Sequence, residues 1–100
     1  MFRTHTCNEL RTEHIGATVT LTGWVDTIRD HGGVLFVDLR DHYGITQVVF
    51  SDDEMLRGIT KETVVLIEGT VAERDPETVN QKLETGLIEV RAARIEVLPG

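Results

Sequence analysis

Five side chains of this 100-residue sequence have the chemistry to read a nucleobase: Phe36, Gln47, Arg74, Asn80 and Glu89. A phenyl ring gives a base a surface to stack on, worth about 1–3 kcal/mol per base. The amides of Gln47 and Asn80, the guanidinium fork of Arg74 and the acceptor oxygens of Glu89 match the donors and acceptors on base edges. Other chemistries have less support. The histidines His5, His14, His31 and His42 and the single Cys7 are metal-ligand types. A structural zinc site needs four ligands at closed spacing, however, and His5-x-Cys7 is half of one. A Cys/His nucleophile pair needs a third group to orient the base, and none stands out. No catalytic set and no metal set is assigned.

Composition sets the frame for these groups. The chain is the length of one ordinary domain, 40% hydrophobic and 27% charged with two prolines, which is a folding composition. No apolar run approaches the roughly 18 residues of a membrane span. The opening residues lack the apolar stretch of a signal peptide. One cysteine cannot form an internal disulfide, so a reducing, cytoplasmic setting is expected. Ten Lys and Arg stand against seventeen Asp and Glu, a net charge of −7. That excludes a non-specific polyanion binder, whose affinity comes from many phosphate contacts. It leaves room for a small base-reading surface, because base and phosphate contacts are separate terms.

The elements that must hold the candidates are short and rich in Val, Ile, Leu and Thr, punctuated by glycine. Residues 18–29, 34–41, 45–50, 63–74 and 86–97 read as five strands. Thr6-Cys7-Asn8-Glu9 fits a capping box ahead of a short N-terminal helix, and Ser51-Asp52-Asp53-Glu54 fits another after the third strand. The acidic run there suits a helix dipole. Five strands with a helix between the third and fourth is the layout of an OB-fold, a five-stranded Greek-key barrel. An SH3-like small barrel fits the helix placement less well.

Alternation then assigns faces. Leu35, Val37 and Leu39 form an unbroken aliphatic row for the barrel interior, which puts Phe36 outside with Asp38 and Arg40. Those two charges read as an ion pair, worth little where exposed. Trp24 reads as core or barrel-edge packing. In the third strand neither row is clearly the inner one. Val65, Ile67, Gly69 and Val71 share one row of the fourth strand, opposite Val64, Leu66, Glu68, Thr70, Ala72 and Arg74, and in the fifth Ile88, Val90 and Ala92 face inward, leaving Glu89 outward. Arg29 shares parity with Val19, Leu21 and Val25, so it reaches the surface only if a bulge near Gly23 shifts the register or the strand has ended. OB-folds bind oligonucleotides across strands two and three, between the 1–2 and 4–5 loops. Here those loops are Asp30 to Gly33 and Asp75 to Thr85.

Three stretches carry a resemblance. They are Gly23-Trp24-Val25, the run Arg29-Asp30-His31-Gly32-Gly33-Val34-Leu35-Phe36-Val37-Asp38-Leu39-Arg40-Asp41, and Gly44-Ile45-Thr46-Gln47-Val48-Val49. Together they resemble the N-terminal domain of class IIb aminoacyl-tRNA synthetases. Arg3-Thr4-His5-Thr6 with Leu10, and Gly69-Thr70-Val71 with Arg74-Asp75, narrow the resemblance to bacterial-type aspartyl-tRNA synthetases. It covers nearly the whole chain, 3–97.

The resemblance implies an OB domain, spanning residues 1–100, that reads the GUC or queuosine-modified QUC anticodon of aspartate tRNA. Phe36 would stack on the central uridine, and Arg29 and Gln47 would contact anticodon bases. Arg74, Asn80 and Glu89 would bind around the third letter and nearby backbone. Pro76-Glu77-Thr78-Val79 departs from the family pattern, as does Asp26-Thr27-Ile28, where many relatives are basic. His31 occupies a position that is often leucine, and histidine there accompanies acceptance of asparagine tRNA as well. The chain contains no class II catalytic motif, so no cofactor is expected for it. ATP and magnesium would serve a catalytic domain in the parent ligase. The resemblance further implies a monomeric isolated domain and a homodimeric parent. Two other functions fit the residues: a free-standing OB module for other RNA or single-stranded DNA, and a module for a protein partner.

Overall fold

The computed structural model describes residues 3–99. Five strands, β1 (Thr18–His31), β2 (Val34–Arg40), β3 (Ile45–Phe50), β4 (Val64–Glu73) and β5 (Ile88–Val97), close into a barrel in the order β1-β2-β3-β5-β4. β3 and β5 run parallel, and the other paired strands are antiparallel. The OB-fold expectation holds. The inward rows assigned from alternation on β2 and β5 are found at Leu35, Val37, Leu39, Ile88 and Val90, which are buried, while Ala92 is only partly buried. On β4 the inner row is Val65, Ile67 and Val71. On β3 the inner row is Thr46, Val48 and Phe50. Each such aliphatic or aromatic side chain contributes about 1.5–3 kcal/mol by leaving water.

Neither expected helix forms. Between β3 and β4 there is a 3-10 turn, Asp53–Leu56, and near the N-terminus another, Thr12–His14. The capping chemistry is nonetheless real. Thr6 N–H donates to Glu9 Oε1 (2.8 Å), and Glu54 N–H donates to Asp52 Oδ1 (2.9 Å). What is missing is length, because an isolated helical turn fixes several dihedrals for one hydrogen bond and must propagate to be worthwhile. Arg57 already has extended ψ, which ends the second turn after four residues. The N-terminal segment is instead pinned to the barrel. Cys7 N–H donates to Asp41 Oδ2 (2.8 Å), Thr46 Oγ1 donates to Cys7 O (2.8 Å), and Leu10 is fully buried. Burial, reinforced by the Asp41 charge, pushes the Cys7 thiol far above its ordinary range.

β1 does the work of closure. Its first half pairs with β4 and its second with β2, and Trp24 belongs to both ladders. At Gly23 any Cβ would run into the Arg40 carbonyl, so the bend there requires glycine. The register shift sits three residues beyond Gly23: Val25 pairs with Leu39 and Thr27 with Asp38, leaving Asp26 as the bulged residue. β1 also continues past Arg29 to His31, so the bulge, and not an early strand end, turns Arg29 outward. Gly32 and Gly33, at φ +64° and +95°, make the tight turn into β2.

Candidate nucleic-acid interface

The bulge aligns two rungs of side chains across the outer face. Arg29 lies opposite Phe36, which lies opposite Val49; Thr27 lies opposite Asp38, which lies opposite Gln47. Because β1 has slipped by one residue, both rungs point the same way, and a polar cluster forms where strict alternation would have placed Arg29 in the core.

Asp38 accepts from Thr27 Oγ1 (2.8 Å) and from both terminal nitrogens of Arg29 (2.9 and 3.3 Å). The expected Asp38–Arg40 pair is absent: Arg40 is drawn across to Asp26 on the bulge (3.1 Å), and Asp38 to Arg29. Burial pushes the Asp38 carboxyl up, but hydrogen bonds from Arg29 and Thr27 and the charges of Arg29 and Arg74 outweigh it, so its pKa lies below the ordinary value.

Gln47 is 1% exposed although it belongs to the outer row. The loop from β4 to β5 folds over it, bringing Arg74 and a 3-10 turn, Pro76–Thr78. Gln47 Oε1 accepts from Arg29 (3.2 Å) and Arg74 (3.3 Å), while its Nε2 donates to Glu89 Oε1 (3.1 Å). Those partners define which end of the amide is which. Glu89, expected on the outer face, is buried there and also lies 3.6 Å from the Arg91 guanidinium. Arg74 donates to the carbonyls of Ile88 and Thr78 (2.8 Å each). Its other terminal nitrogen, Nη2, has no partner among the described residues although it is out of solvent. A buried guanidinium N–H left without an acceptor costs about 1–3 kcal/mol or more. Burial lowers the Arg74 pKa, opposed by the charges of Asp38 and Glu89, but a guanidinium stays protonated.

Phe36 stands half-buried between two clefts. One, about 380 Å³, is lined by Arg29, Asp38, Gln47, Arg74 and Asn80; the other, about 520 Å³, by Val49, Ser51, Asp75, Glu89 and Arg91. His31 and Phe36 border both, with ring centroids 5.2 Å apart and planes at 83°, an edge-to-face contact that makes one aromatic ridge. Asn80 is exposed, and its Oδ1 accepts from Lys82 N–H (3.0 Å).

All seven sequence candidates thus border this ridge and its clefts: Arg29, His31, Phe36, Gln47, Arg74, Asn80 and Glu89. Sequence reading missed Asp38, which anchors Arg29, and the Thr78 carbonyl, which anchors Arg74. The first follows from the outer row once the bulge is placed. The second is a backbone group and leaves no mark in residue type. Two guanidinium groups and two carboxylates balance within the cluster, so the site offers directional hydrogen bonds without a large positive field.

Comparison with known proteins agrees with this geometry. The family model described as an OB-fold nucleic acid binding domain, tRNA anti-codon, matches residues 19–98. The chain is 52% identical over 102 residues to the aspartate–tRNA(Asp/Asn) ligase of Ehrlichia ruminantium (strain Gardel), and 55% identical over 104 residues to that of Chelativorans sp. (strain BNC1). Each alignment covers 97% of this chain and 17% of the relative, so the chain spans about a sixth of their length. Among solved structures, asparaginyl-tRNA synthetase from Pyrococcus horikoshii, complexed with asparaginyl-adenylate, superposes with a TM-score of 0.78 at 27% identity. That match covers all of this chain and 23% of the synthetase. The barrel, the polar groups gathered on its outer face and the family match over four-fifths of its length lead to one assignment: the chain belongs to the tRNA anti-codon family of OB-fold nucleic-acid-binding domains.

Proposed function

We propose that this domain reads the GUC or QUC anticodon of aspartate tRNA for an aspartate–tRNA ligase, and accepts asparagine tRNA as well. The observation that carries this reading is the aromatic ridge of Phe36 and His31 with a cleft on either side. A central base stacked on Phe36 sends its two neighbours into clefts of opposite chemistry. Glu89, which the resemblance places around the third letter, lies in the cleft opposite Arg74 and supplies acceptors only, which suits instead the N1–H and N2–H donors of guanine, the first letter. Arg74 lines the other cleft and keeps one buried donor without a partner among the described residues, and a donor there suits the ring acceptors of cytosine. His31, at the tip of the β1–β2 turn, borders both clefts and is the group here that would set tolerance for the third letter.

The names of the relatives, aspartate–tRNA(Asp/Asn) ligases, support a parent that ligates aspartate to tRNA, and in this reading it does so with ATP in a separate catalytic domain. The isolated domain is a monomer in this reading, and the parent a homodimer.

An amide chemical-shift titration with an anticodon stem-loop carrying GUC tests the proposal. Shifts should cluster at Phe36, Gln47, Arg74 and Glu89 and weaken when the central U is replaced. Shifts indifferent to loop sequence, or none at millimolar RNA, would overturn it. In the ligase, His31→Leu should raise the preference for aspartate over asparagine tRNA, and an unchanged ratio would remove His31 from specificity.

A further inference from the structure

Gln47 touches polar groups of both clefts. Its Oε1 holds Arg29 and Arg74, which line the first; its Nε2 holds Glu89, which lines the second. At 1% exposure it has no water to substitute for a lost partner. An amide whose oxygen accepts from two cations is polarised, and its N–H becomes a better donor, so hydrogen bonds in such a chain reinforce one another.

We propose that Gln47 is a positioning residue that couples the two clefts, so that the bases flanking the central letter are read cooperatively. The inference rests on the anticodon reading above. Arg74 is already held by Ile88, Thr78 and Gln47, and only its Nη2 lacks a partner among the described residues. An acceptor base at that N–H changes the polarisation of the guanidinium, and with it the strength of the Gln47 amide bonds that end on Glu89. The two clefts are then positively coupled through one hydrogen-bond chain.

The test is a base-substitution cycle on this chain. Dissociation constants are measured for stem-loops carrying GUC, AUC, GUA and AUA, and the double change is compared with the product of the single changes. Contacting groups in one network deviate from additivity by roughly two- to 160-fold, and a deviation of at least about three-fold is expected here. Gln47→Glu keeps an oxygen for the two arginines but loses the N–H to Glu89, so its cycle should fall within about two-fold of additive. Additive behaviour in the wild-type chain, or a deviation that survives Gln47→Glu, overturns the coupling while each letter still matters. Indifference to both letters overturns the anticodon reading itself.

The free protein gives a check independent of RNA and of that variant's folding. Glu89→Ala should move the Arg29 Nε–H signal through Gln47, although Arg29 does not touch Glu89. An Arg29 signal that stays in place would sink the relay.

Discussion

Inside the barrel, β2 and β3 contribute Leu35, Val37, Leu39, Val48 and Phe50, with Thr46 the polar member of those rows. Outside, the same strands contribute Phe36, Asp38 and Gln47, and Gln47 is buried as completely as the core. Thr46 needs one partner, the Cys7 carbonyl, and has it. Gln47 needs several, and they come from β1, β5 and the β4–β5 loop. Apolar burial tolerates approximate shape and fails gradually, whereas polar burial depends on every member being present. The inner face therefore governs whether the chain folds, and in the proposed function the outer face governs what it recognises.

The largest test of that division is Phe50→Ala. Removing the biggest buried side chain of the inner face should cost about 3–5 kcal/mol in urea unfolding. That is a large part of the stability of a domain this size. Where the variant remains folded, its anticodon affinity should be close to normal. Phe36→Ala should do the reverse: RNA affinity falls by about 1–3 kcal/mol, and the unfolding midpoint changes little. A comparable loss in both measurements for either variant would break the comparison.

Asp38→Asn tests the edge between the two faces. The Asp38 carboxyl has a folded pKa below its unfolded value, so the stability it contributes is present above about pH 3.9 and is lost as pH falls further through the folded value. Since Arg29 is 42% exposed, the effect is screened and should be at most about 1 kcal/mol. Unfolding curves of wild type and variant should differ at pH 6 and converge in acid. A gap independent of pH would mean that Asp38 acts by shape alone. The smallest effect concerns salt. With Arg29 and Arg74 occupied by carboxylates and carbonyls, RNA affinity should fall with salt as if only about one or two phosphates were neutralised. A steep slope would place the binding surface elsewhere.

The inner face was legible in the sequence because alternation and β-branched residues report burial directly. Leu35, Val37 and Leu39 could hardly face water together. The outer face was legible in type but not in arrangement. Phe36 and Glu89 stood out as groups suited to bases, and the family pattern added Arg29 and His31. Their connection through Asp38 and Gln47 depends on a bulge at Asp26, which no glycine or proline marks. The two helices failed for a related reason: Glu9 reaches back to Thr6 N–H as the box predicts and Asp52, not the expected Ser51, caps the second turn, but capping begins a helix without ensuring that one continues.

The burial of Cys7 has a practical consequence. Its thiol is wholly enclosed, and burial beside Asp41 keeps it from ionising, so maleimide and iodoacetamide reagents have no thiolate to attack in the folded state. A cysteine placed on the exposed β4–β5 loop, at Lys82 for instance, would therefore take a single fluorophore next to the Arg74 cleft. Such a Lys82→Cys variant could be labelled to test RNA binding without Cys7 first being replaced.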